Sequence, residues 1–186
     1  MDGPYPGNIV SPAVLWLSEA LVHAGELQLL IDALIALQFF VVMFVALHDW
    51  VPLGTLNDVR AVQAADSSSR LITVTVISTL PFAFGFIASA YYARTNIHGW
   101  LLWYLWISYG AAAYGMLRAW WAPYLVLEDR ARAKRYQAMF GRTHAFLPLR
   151  NGIRPNTLHA MLHTVIVAIL ILLGVLTFSA NNSGMG

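Results

Sequence analysis

His159 and His163 stand four residues apart, so a helix carries both on one face, the spacing at which two imidazoles converge on a metal ion. Asn156, three residues earlier, extends the same stripe. His48 closes another apolar run in the order Leu47-His48-Asp49-Trp50, and His144 sits in the polar segment just before the pair. With His48, His159 and His163 as ligands, His144 as a fourth nitrogen, and Asp49 and Asn156 orienting the rings, the chemistry suits iron, zinc or copper. Two histidines from different helices also suit a b-type haem. Read without a cofactor, the same residues cap helix ends and bond headgroups. An all-protein role with no cofactor is the equal alternative.

The stretch from Gly141 to His163 also gathers Arg142, Arg150 and Arg154 ahead of Pro155-Asn156, a helix start whose exposed amides favour an anion such as a phosphate or carboxylate. The single H-x-x-x-H falls short of the repeated boxes of membrane hydroxylases and desaturases. His23 and His98 would be the outer pair of a two-haem bundle, but the flanking residues assign neither family.

These groups lie at the margins of four apolar runs, 27–47, 71–92, 100–117 and 160–178. Each is close to the roughly 20 residues that cross a hydrocarbon core of about 30 Å. Only 11% of the 186 residues are charged and 59% are hydrophobic, which excludes an ordinary soluble domain. The expected fold is a single all-α transmembrane domain, 1–186, forming a four-helix bundle. An outer interfacial helix near 13–22, ending at Gly25, and a cytoplasmic amphipathic helix between the third and fourth spans complete it.

Charge sets the orientation. Arg60, Arg70, Arg118, Arg130, Arg132, Lys134, Arg135, Arg142, Arg150 and Arg154 fall on one side and Arg94 alone on the other. The positive-inside rule makes the basic loops cytoplasmic and both termini external, as in a bacterial inner membrane. The basic run near Arg132 therefore serves anionic lipid, with Glu128 four positions ahead of Arg132 as its helix pair, and nucleic acid is not expected as a partner. The absence of cysteine removes disulfides and thiolate ligands. No basic n-region precedes the first run, so a cleaved leader is not expected.

Asp32 lies inside the first span, where a carboxylate costs about 2.5–3.5 kcal/mol, so it is expected to face the bundle near Ser89 and Tyr104 or to be protonated. It stands about 24 Å from His48 along a helix, too far to share its site. Tyr104, Ser108, Ala111, Gly115 and Arg118 form a stripe on the third span, and Thr75, Ser78 and Thr79 a polar patch on the second. Both read first as helix contacts and second as the lining of a wet cleft. Gly110, Ala111, Ala112, Ala113 and Gly115 likewise offer a small-residue surface for another helix. The terminal tryptophans, Trp120 among them, read as an interfacial belt, with Trp106 the exception, and Pro123 as the break after Trp121.

Three functions follow from these residues. The leading one is a metal- or haem-binding oxidoreductase at the cytoplasmic ends of the first and last spans. The second is a non-catalytic subunit or scaffold of a homo-oligomer or larger membrane complex. The third is a small proton- or cation-coupled transporter using Asp32. A small molecule or a lipid headgroup is the expected partner besides the bilayer.

Overall fold

The computed structural model describes residues 12–95, 97 and 99–182, with the side chains of 12–20, 22, 23 and 180–182 outside that description. His98 and the ring of His23 therefore lie outside the described residues, as does the N-terminal arm 1–11. The chain forms α1 (Pro12–Leu47), a 3-10 turn (Gly54–Leu56), α2 (Val59–Ala65), α3 (Ser68–Tyr92) and α4 (Gly99–Met116). A π-helical turn (Leu117–Trp121) follows, then α5 (Ala122–Leu125), α6 (Arg130–Phe140) and α7 (Thr157–Asn182). No strand forms among the described residues.

Three stretches are long and apolar enough to cross a membrane: Ala24–Leu47 in α1, Ser68–Tyr92 and Thr157–Ser179 in α7. The expected third span, α4, has no charged residue and, at 18 residues, is shorter than these three; it includes three Trp, three Tyr and three Gly. Among the described residues α4 is not one of those three. α1 packs along α3 and α7, and α4 packs on α7 and α3. Leu34, Leu101, Leu105, Tyr109, Ile169 and Leu173 fill the space between them without exposure. Trp106, half-buried, donates from Nε1 to Thr177 Oγ1 at 3.1 Å and ties α4 to α7.

The separate N-terminal interfacial helix is not formed. α1 runs unbroken through Gly25, because a lone glycine costs a helix only about 1 kcal/mol and no proline follows to stop it. The helix-packing role given to Gly110 and Gly115 is likewise corrected: a Cβ at either would meet nothing within 4 Å. The close approach is at Gly85 instead, where a Cβ would lie 2.9 Å from Leu105 Cδ2 and α3 meets α4. Nearby, Tyr104 Oη donates to the Pro81 carbonyl at 2.8 Å, and Phe82 packs on Tyr109.

Pro123 does not end the helix after Trp121; it widens the turn before it. A regular helix would pair the Ala119 carbonyl with the amide of residue 123, and proline has none. The Ala122 amide reaches back five residues to the Leu117 carbonyl rather than four to Arg118. Two carbonyls are thereby released, and α6 takes both. Arg132 Nη1 donates to Arg118 O at 2.8 Å and Ala119 O at 3.0 Å, while Tyr136 Oη reaches Ala119 O at 3.2 Å. α6 begins at Arg130 because Asp129 caps it, accepting from Arg132 N at 2.9 Å. Glu128 is thus outside the helix and pairs with Arg130, not with Arg132 as the spacing suggested. Arg132 Nε pairs with Asp129 instead.

Candidate functional site

The segment after α1 and the segment before α7 are stitched together by side-chain and backbone bonds. Asn57 Nδ2 donates to the carbonyls of His48 and Val51 at 2.6 and 2.8 Å, and Asn57 Oδ1 accepts from Leu53 N. Asp58 caps α2 through Ala61 N and also pairs with Arg142 at 2.9 Å. Asp66 pairs with both Arg70 and Arg135, linking the start of α3 to α6. His144 donates its amide to Thr55 O, accepts from Thr157 N, and has Nδ1 2.7 Å from Thr157 Oγ1. His144 is therefore an exposed brace between the loops and the start of α7.

A two-residue turn, Asn151-Gly152, folds the preceding loop back on itself with reciprocal bonds between Arg150 and Ile153 of 2.9 and 2.8 Å. Both turn residues have positive φ, 49° and 73°, as this reversal requires. It delivers Ile153, fully buried, into a cluster with Trp120 and Tyr124. Asn151 Nδ2 meanwhile donates to Pro123 O and Tyr124 O. The three arginines assigned to an anion take different partners: Arg142 on Asp58, Arg150 with its guanidinium 6.0 Å from the Tyr124 ring centre, and Arg154 beside Tyr136 and Phe140.

Asn156, 1% exposed, starts α7 by accepting the His159 amide on Oδ1 at 2.9 Å. The same oxygen lies 2.7 Å from His159 Nδ1 and so fixes the ring. His159 then packs edge-on to His48, 5.8 Å between ring centres, against Trp120 at 4.5 Å and Phe140 at 5.1 Å. His163 follows at 6.3 Å. His159 thus has a ring contact with His48 on one side and with His163 on the other, while His144 bonds Thr55 and Thr157 instead. His48 is turned to its own neighbours, with Nδ1 3.0 Å from Phe44 O and Nε2 3.2 Å from Asp49 Oδ1. Burial raises the Asp49 carboxyl above its ordinary value, with His48 pulling the other way. Among the described residues, no group of three or more His, Asp or Glu is disposed to hold a metal ion.

What His159 and His163 do share is a cavity. About 560 Å³ of space lies between α1, α3, α4 and α7, with His159 and His163 in its wall at the start of α7. Its lining is apolar apart from these rings, the Trp120 indole and the hydroxyls of Ser78 and Ser108, and no charged side chain lines it among the described residues. Pro81 on α3 and Ile107, Ala111 and Gly115 on α4 line it while themselves exposed. The cavity therefore opens sideways between those two helices. His163 is only 5% exposed, and its Nδ1 has no partner.

The polar stripe on α4 is thus divided: Ser108, Ala111 and Gly115 line a cavity, while Tyr104 bonds α3. Trp120, 6% exposed and part of the same wall, is the residue the belt reading missed. Pro123, three residues on, was its only signal. Asp32 is also corrected. It lies on the exposed side of α1, its carboxylate accepting from Gln28 Nε2 at 2.8 Å, and is not turned toward Ser89 and Tyr104.

The chain matches no protein-family model, curated protein or solved structure.

Proposed function

We propose that this chain is a multi-pass membrane protein that binds a lipid-soluble small molecule in the cavity beside His159 and His163. α4 serves as a fourth span in this reading, with the basic loops cytoplasmic and both termini external. The observation that carries it is the combination of an apolar cavity within the ordinary range for ligand sites and two imidazoles in its wall. The sideways opening supports a ligand that arrives through the hydrocarbon. The stitched inner loops and the Arg132 clamp support a rigid wall on the inner side. A metal or haem on the histidines has less support, because His48 faces Asp49 and Phe44 while His159 and His163 share one helix face.

The test is organic extraction and mass spectrometry of the protein purified in mild detergent, beside an Ala112→Phe variant that fills the cavity. The wild type is expected to retain a stoichiometric lipid-soluble molecule and the filled variant to lose it. Identical extracts from the two would overturn the reading. A Soret band or a stoichiometric transition metal in the same sample would replace it with the metal or haem reading.

A further inference from the structure

Resting on that reading of the cavity, the geometry points to the ligand's buried end: we infer that it is a neutral hydroxyl, on an apolar body, which donates to His159. The inference starts from Asn156. Its Oδ1 accepts a backbone amide, which can only donate, so the atom facing His159 Nδ1 at 2.7 Å is an acceptor. The ring must therefore carry its proton on Nδ1. In the neutral ring Nε2 is then left as a lone-pair acceptor.

One turn further along α7, His163 lines the same cavity, but its unpartnered Nδ1 has no accessible surface and does not face it. An ether, ester or ketone only accepts and offers nothing to His159 Nε2. A hydroxyl donates to His159 Nε2. A carboxylate, phosphate or ammonium head finds no counter-charge among the lining residues, and burying it there would be costly. The sideways opening at Pro81, Ile107, Ala111 and Gly115 accommodates the apolar body. Aliphatic alcohols and phenols share this chemistry.

The test uses radiolabelled 4-dodecylphenol and 1-hexadecanol, each beside its methyl ether, binding to the full chain in lipid nanodiscs with empty discs as background. Ethers keep the apolar body and lose the donor. At least one hydroxyl probe is expected to bind on the order of tenfold more tightly than its ether, the value of one hydrogen bond. Which of the two does so identifies the aromatic or aliphatic source. His159→Phe is expected to reduce that probe to the affinity of its ether, and retained ether binding reports that the variant is folded. Equal binding of hydroxyl and ether to the wild type overturns the inference. If Ala112→Phe then abolishes both, the cavity reading survives alone. If no probe binds above background, the inference falls.

Discussion

Replacing Arg132 by alanine should loosen the cavity's inner wall, because its guanidinium holds the carbonyls that the π turn and Pro123 release. The variant strips Arg118 O of its 2.8 Å donor, while Ala119 O keeps Tyr136 Oη at 3.2 Å. A hydrogen bond to a charged group contributes about 1.5–3 kcal/mol. The Arg132 side chain is 29% exposed, however, and water can reach the Arg118 carbonyl, so the expected loss is about 1–2 kcal/mol. The decisive comparison is the same change in a Pro123→Ala background. There residue 123 regains an amide for Ala119 O, the Ala122 amide can return to Arg118 O, and Arg132→Ala should cost less than about 0.5 kcal/mol. The assay is reversible unfolding in detergent, followed by the near-ultraviolet circular dichroism of the Trp120 cluster. Equal costs in the two backgrounds, or no cost in the first, would refute the account of the turn.

Gly152→Ala should destabilise by about 2 kcal/mol, since φ of 73° disfavours any Cβ and the new atom would sit 2.9 Å from Ala133 Cβ. Thermal melts should separate it clearly from an exposed control such as Ala138→Gly. Asn156→Ala removes the cap of α7 and should cost about 0.5–2 kcal/mol. It should also abolish the difference between hydroxyl and ether probes, because the His159 proton is no longer fixed on Nδ1; an unchanged difference would count against the Asn156 argument. For Asp49, burial raises the folded-state carboxyl, so the folded protein binds more protons than the unfolded one. Its contribution to stability is therefore present below the ordinary Asp value of about 3.9 and is lost as pH rises through the raised value. Asp49→Asn should flatten that part of the stability profile, and a steeper fall with pH in the variant would contradict the assignment.

Periodicity and composition were enough to find three apolar helices, because a span must satisfy its backbone internally and cover itself with apolar side chains, both local requirements. The same local logic located the start of α7 at Pro155-Asn156 and set Trp106 apart from the interfacial belt, but left open whether it faces the interior or lipid. It failed where the outcome depended on which partner was within reach. Glu128 was assigned to Arg132 by spacing, but Asp129 takes the cap and begins the helix one residue too late for that pair. Trp120 looked like one more interfacial ring until the widened turn rotated it onto His159.

The sequence by itself determined that His159 and His163 share a helix face near a membrane boundary, since a fixed helical repeat requires nothing but spacing. Only the tertiary structure decided what that face meets. Asn156 fixes one ring, His48 turns away to Asp49, and α3 and α4 touch at Gly85 and open below it, leaving a cavity where a metal cluster had been expected. The physical reason is that a helix's own geometry sets which side chains are neighbours along it. The space between helices is set by the closest contact each pair can make, and that contact lies elsewhere in the chain.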